Sequence, residues 1–140
     1  MSNKINTDCI FCKIIKKEIP SDIVYEDENF IAFLDINPIN KGHVLVVPKK
    51  HSANVYEMDD ETAKNIFPLI KKLSIAIKKA VNSDGINIGM NNDEAAGQLI
   101  MHSHVHIMPR FKEDGLRHWP GKKLGKDEMQ TIKSKIIQNL

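Results

Sequence analysis

Three of the six histidines stand at every second position in the run His102-Ser103-His104-Val105-His106-Ile107-Met108-Pro109. On a strand, residues i, i+2 and i+4 share a face, so the spacing predicts a row of imidazoles with Ser103, Val105 and Ile107 turned the other way. A helix would scatter them. Such a row suits a metal cluster or a nucleophile held between orienting partners, with an accident of composition as the bland alternative. Burying three imidazoles side by side for packing alone would leave several ring nitrogens in want of partners. The only two cysteines, Cys9 and Cys12, form a second group, Cys-Ile-Phe-Cys. In a reducing compartment a pair at this spacing reads as a metal chelate or a redox dithiol before it reads as a structural disulfide. Two thiolates do not complete a tetrahedral zinc site, and histidine is the natural source of the remaining ligands.

The elements that must position these groups follow from periodicity and turn chemistry. Cys9 to Lys17 reads as a short helix stopped by Pro20. Ile23-Val24-Tyr25 and Phe30 to Leu34 read as a hairpin across Glu26 to Asn29, and His43 to Val47 as a nearly continuous apolar, central strand ended by Pro48. Asp59 or Asp60 caps a main helix whose apolar stripe is Ala63, Ile66, Phe67, Ile70, Leu73, Ile77 and Val81, with Pro68 expected to kink or break it. After Asn82 to Gly85 come a strand over Ile86 to Met90, a polar loop over Asn91 to Gly97, and the histidine strand over Leu99 to Met108. Arg110 to Gly125 is a glycine- and lysine-rich excursion carrying the single tryptophan, Trp119, and Lys126 to Asn139 reads as a terminal helix with Met129, Ile132, Ile136 and Leu140 on its apolar side. Antiparallel strands with segregated helices make an α+β domain, read as residues 9–140 behind a mobile tail, 1–8.

A chain of 140 residues with 41% hydrophobic and 27% charged residues is an ordinary globular domain. Its net charge of +2, with lysines spread throughout, is too weak to argue for nucleic acid, and no nucleic-acid partner is expected. The sequence has neither an apolar run long enough for a bilayer nor an apolar signal-peptide core, so no membrane association and a cytoplasmic setting are expected.

The run Gly97-Gln98-Leu99-Ile100-Met101-His102-Ser103-His104-Val105-His106-Ile107 is similar to the histidine-triad signature of the HIT superfamily. Phe33-Leu34-Asp35-Ile36 and Pro48-Lys49-Lys50-His51 resemble segments of that family in the same order. The resemblance spans about Cys9 to Trp119 and is closest to bacterial and archaeal members of the Hint-like branch. It implies a HIT-like fold with a five-stranded antiparallel sheet, a main helix and short amino- and carboxy-terminal helices. It also implies a hydrolase for purine, chiefly adenosine, nucleotides, cleaving nucleoside phosphoramidates or dinucleoside polyphosphates at the α-phosphate through a nucleotidyl-histidine.

Cleaving such a bond needs an in-line nucleophile and donors for the phosphate oxygens, and a neutral imidazole can attack and later depart. His104, flanked on both sides, is the expected nucleophile. His106 is expected to hydrogen-bond phosphate oxygens or the leaving group, assisted by the amide of Gln98 and backbone amides around Gly97. The resemblance further implies that Asp35 holds the ribose hydroxyls, that Ile10, Phe11, Phe33, Leu34 and Ile36 form the purine slot, and that Asn91 faces the phosphates. Cys9, Cys12, His51 and His102 match a structural zinc set that would pin the amino-terminal helix behind the catalytic strand, and His102 also counts with His104, His106 and Gln98 among the expected catalytic residues. Leu99 departs from the serine or threonine common in the family. Trp119, in Arg117-His118-Trp119-Pro120-Gly121, resembles the family's carboxy-terminal His-Trp-Pro segment, which reaches the substrate region of the partner subunit, but stands several residues further from the triad. His43 and His118 match no role and read as surface or structural histidines. A homodimer with one continuous sheet is implied. The rival reading is a nucleotide-binding interaction module with incidental turnover.

Overall fold

The computed structural model describes residues 8–140, so the expected mobile tail lies outside the described residues except for Asp8. Five strands, β1 (Ile23–Glu26), β2 (Phe30–Leu34), β3 (Val44–Pro48), β4 (Gly85–Gly89) and β5 (Val105–Arg110), form one sheet in the order β1-β2-β3-β5-β4. Every neighbouring pair is antiparallel. Among the described residues three α-helices accompany the sheet: α1 (Ile10–Ile15), α2 (Asp60–Val81) and α3 (Lys126–Gln138). This is the α+β architecture that the alternating and helical periodicities predict.

The sheet is covered on two faces, which explains why β2 and β3 carry unbroken apolar runs. On one face Ile66, Leu69, Ile70, Leu73 and Ile77 of α2 pack on Phe30, Ala32, Val44, Val46, Val105 and Ile107. On the other, Phe11, Cys12 and Ile14 of α1 pack with Ile31, Phe33, Leu45 and Val47. β5 alternates buried Val105, Ile107 and Pro109 with half-buried His106, Met108 and Arg110, so the imidazole of His106 belongs to the α1 face.

Asp59 is the cap of α2, accepting from the Thr62 amide at 2.7 Å. The predicted stripe needs correction at two positions: Ala63 is exposed and Phe67 is 62% exposed, while Leu69 takes a buried place. Successive helical residues are about 100° apart, so Phe67 falls to the side of the stripe through Ile66 and Ile70. α2 also runs through Pro68 without the expected break. Pro68 and Lys64 are both exposed, so the carbonyl deprived of its amide partner can be hydrated.

The histidine strand starts later than its alternation suggests. Its pairing with β3 begins at Val46↔Val105, and the chain before it leaves the ladder, the Ser103 amide donating to the Ser52 carbonyl at 2.7 Å. His102 and His104 therefore precede β5 instead of lying on it. α1 is shorter than predicted, its chain turning at Lys17 with φ 65° well before Pro20. α3 forms where expected, but no residue of it is buried among the described residues, and Met129, Ile132 and Ile136 are 52%, 39% and 58% exposed.

Candidate active site

The loop entering β5 threads His102 and His104 between α1 and the edge of β3, where each ring is held by a backbone carbonyl. The Nδ1 of His104 lies 2.7 Å from the His102 carbonyl oxygen. A carbonyl only accepts, so Nδ1 carries the proton and Nε2 keeps a free lone pair. The ring is 7% exposed and meets Phe11 edge-on, with centroids 5.0 Å apart. Burial pushes its pKa below 6.5, partly offset by the His102 carbonyl and by the charge of Asp35.

His106 is held in the opposite sense, by a residue that sequence reasoning set aside. His43 is 3% exposed, and its Nδ1 accepts from the Ile39 amide at 3.1 Å. Its proton is thereby confined to Nε2, which donates to Nδ1 of His106 at 2.9 Å. That leaves His106 presenting an Nε2–H. The Asp35 carboxylate stands 3.6 Å from Nε2 of His43, and its other oxygen accepts from the Asn37 amide at 2.9 Å. Burial, then the neighbouring His104 and His43, hold His106 down to about 4, so it is neutral at pH 7. Ligand atoms of Asp35, His43 and His106 lie within 4.8 Å of one another. They do not suit a cation, because Nε2 of His43 could bind one only if Nδ1 took the proton, which the Ile39 amide forbids. The register Leu45↔His106 places His43 two residues before the partner of His106, the signal that would have found it.

A second group gathers at the start of α1. Cys9 is the N-cap, its Sγ accepting from the Cys12 amide, and the two buried cysteines are not joined in a disulfide. Nδ1 of His102 lies 3.3 Å from the Cys9 sulfur and 3.5 Å from that of Cys12. Nδ1 of His51 is 3.4 Å from the Cys12 sulfur and 3.0 Å from Nδ1 of His102. Tetrahedral zinc, with bonds of about 2.0–2.1 Å to nitrogen and about 2.3 Å to sulfur, implies edges of about 3.3 Å and about 3.6 Å. The donor set fits that ion. The tautomer fits too: Nε2 of His102 donates to the Pro48 carbonyl at 2.7 Å, leaving Nδ1 bare for a metal. Burial holds His102 down to about 4, with the His51 and His104 rings adding to it and the Pro48 carbonyl opposing.

The remaining predicted site residues divide. Phe11 and Phe33 are buried edge to face, 5.6 Å apart, while Ile10, Leu34 and Ile36 are 42%, 36% and 94% exposed. Asn91 reaches the Gly97 carbonyl at 3.4 Å. Gln98 sits differently from expectation: it is 2% exposed, its amide donates to the carbonyls of Ala53 and Ile100, and its oxygen accepts from the Asp93 amide. Its donors are spent on clamping the loop. The amides of Gly97 and Gln98 are likewise taken, by the carbonyls of Glu94 and Asp93. Gly97 is required for its φ of +93°, since an added Cβ would meet nothing closer than 3.5 Å. Gly97→Ala is expected to cost roughly 1–3 kcal/mol in a denaturant titration, through backbone strain alone.

The HIT domain family model matches residues 16–113. The chain belongs to the HIT family. The match takes in His51 and all three histidines of the triad but stops short of Cys9, Cys12 and Trp119. Over 134 residues this HIT protein is 40% identical to an adenosine 5'-monophosphoramidase of Schizosaccharomyces pombe, covering 94% of this chain and 98% of that one. It is 38% identical to an adenylylsulfatase of Arabidopsis thaliana, covering 94% of this chain and 66% of the relative. Among solved structures, a HIT family member from Bacillus subtilis superposes with a TM-score of 0.89 at 44% identity, over 95% of this chain and 97% of that one. A Zn-bound histidine triad protein from Mycobacterium smegmatis superposes with a TM-score of 0.75 at 34% identity, over 83% and 84%.

Proposed function

We propose that this HIT protein is a nucleotide hydrolase that cleaves purine nucleoside phosphoramidates or dinucleoside polyphosphates at the α-phosphorus. The observation that carries the reading is the opposed protonation of two neighbouring rings, a bare Nε2 on His104 beside an Nε2–H on His106. The His104 lone pair attacks phosphorus in line, the bond to the leaving group breaks, and a nucleotidyl-histidine forms. His106 hydrogen-bonds the phosphate oxygens or the departing group. Water then attacks the same phosphorus, the phosphorus–nitrogen bond breaks, and the electron pair returns to Nε2. Asp35 binds the ribose, Phe11, Phe33 and their exposed apolar neighbours the base, and Asn91 and Gly97 border the phosphates. His43 is a positioning residue that holds the donor tautomer of His106, and Gln98 positions the loop. The relatives named for phosphoramidate and adenylylsulfate cleavage support this class.

Further parts of the proposal concern assembly. Residues 9–140 act as one domain, and Cys9, Cys12, His51 and His102 hold a structural zinc ion. The protein works as a cytoplasmic homodimer with neither nucleic-acid nor membrane partners. In support, Trp119 and the apolar side of α3 are exposed, and among the described residues no helix is long and apolar enough to cross a membrane.

A panel of adenosine phosphoramidate, diadenosine polyphosphate and adenylylsulfate tests the reading; AMP is expected from the first two, and release from none of them rejects it. The pH dependence follows from His104, which attacks only when unprotonated. Because burial lowers its pKa below 6.5, the acid limb of kcat/KM is expected to have its midpoint below pH 6.5. A midpoint above pH 6.5 in the pH–rate profile would contradict this.

A further inference from the structure

A single peptide group links His104 to the segment that follows His51. The Nδ1–H of His104 donates to the His102 carbonyl at 2.7 Å, and the amide at the other end of that same peptide, the Ser103 N–H, donates to the Ser52 carbonyl at 2.7 Å. The hydrogen bonds thus run from the Ser52 carbonyl through the 102–103 peptide to the His104 ring. A peptide group is planar, so whatever aims its N–H also aims its C=O. In such a chain each bond polarises the next.

Ser52 and Ser103 are joined a second time, hydroxyl to hydroxyl, at 2.8 Å. Ser103 is 0% exposed and stands before Val105 and Ile107 in an alternation whose later members are core side chains. Packing alone would favour an apolar residue there, because a buried hydroxyl costs free energy unless it finds a partner. Its partner is the Ser52 hydroxyl. One hydrogen bond would let the 102–103 peptide pivot about its own line, whereas two bonds to different atoms of Ser103 hold its tilt. The His102 ring is secured separately, through Nε2 by the Pro48 carbonyl and through Nδ1 by His51 and Cys9. Those contacts fix the side chain, and the Ser52 contacts fix the direction of the backbone carbonyl.

We propose that Ser52 and Ser103 are positioning residues for the reaction, their paired hydroxyls holding the 102–103 peptide in the tilt that keeps the His104 proton on Nδ1 and the lone pair on Nε2. They act through the ring alone. A neutral imidazole has one proton for two nitrogens, so a carbonyl that swings away from Nδ1 frees the ring to carry the proton on Nε2, where it cannot attack. The inference rests on the hydrolase reading for its effect on turnover, but the tautomer is a property of the protein without substrate and is measured apart from it.

Nitrogen-15 NMR of the histidine rings in the full-length protein at neutral pH reads the tautomer directly, since protonated and bare ring nitrogens resonate far apart. The double variant Ser52→Ala/Ser103→Ala removes both hydroxyls and strands neither, so its melting temperature is expected to stay close to that of the wild type. His104 is nevertheless expected to pass from a single Nδ1–H form to a mixture, and kcat for adenosine phosphoramidate to fall about tenfold, the worth of one hydrogen bond, with KM unchanged. Ser52→Ala and Ser103→Ala, each leaving one hydroxyl alone, should show the same mixture with a lower melting temperature. Ring signals or kcat unchanged in the double variant overturn the proposal, as does a loss in the single variants that the double variant restores, which would make the pair a packing feature only. If the double variant does not fold, the ring signals of Ser52→Ala decide in the same way. A wild-type protein that holds the Nδ1–H form, loses it in the variants and turns over no nucleotide refutes the hydrolase reading and not the hold on the ring.

Discussion

Replacing His104 by alanine is expected to lower turnover of adenosine phosphoramidate by on the order of 10³-fold or more, while AMP still binds. The magnitude follows from the role, because without Nε2 no covalent step remains and water must attack directly. Retention of binding follows from the layout, since Phe33 and Asp35 stand on β2 and its following loop, held by the Phe11 contact and by the Asn37 amide. Alanine opens space beside Phe11, whose ring is 5.0 Å from that of His104, so His104→Asn is the companion variant that preserves packing. Both variants should be inactive and bind AMP by calorimetry. Unchanged turnover in either would remove the assignment of His104 as nucleophile.

The second large effect is expected at Cys12. Cys12→Ser takes one thiolate from a set whose other members are Cys9, His51 and His102. Zinc content is expected to fall from about one ion per chain to near zero, and the melting temperature to fall with it, because free energy of metal binding is free energy of folding. The lost stability should be several kcal/mol, less than the roughly 10 kcal/mol typical of zinc-finger peptides, since the sheet has a core of its own. Turnover should suffer as well, because the carbonyl that fixes the His104 tautomer belongs to His102. Metal analysis and calorimetry check this. A metal-free wild-type protein with an unchanged melting temperature after chelation would rule out the structural role.

How far the sequence could be read depended on whether a feature is local. The apolar runs of β2 and β3 and the spacing from Ile66 to Ile77 report which side chains are buried, and both were legible. Boundaries set by tertiary partners were not. β5 begins at Val105 because the preceding residues bond to Ser52 and Pro48, a choice no alternation of histidines can reveal. His43 read only as a surface or structural histidine without a role, because its partner is 63 positions away in sequence and becomes its neighbour only when β3 pairs with β5. Gln98 carried the expected residue type, but its donors were claimed by Ala53 and Ile100, contacts invisible without the fold. The helical period of α3 was plain, yet periodicity cannot say what covers an apolar side, and nothing within the described chain does. The cysteine pair called for two histidines, and His51 and His102 stand with their ligand atoms within 4.8 Å of it.

The proposed hydrolysis depends on the Nε2 of His104 forming a bond to the α-phosphorus, and the stereochemical course at that phosphorus tests this most directly. With an adenosine substrate of defined configuration at an α-phosphorothioate, hydrolysed in oxygen-18 water, two successive in-line displacements should give AMP analogue with overall retention. Inversion would mean that water attacks in a single step, and His104 would not be the nucleophile.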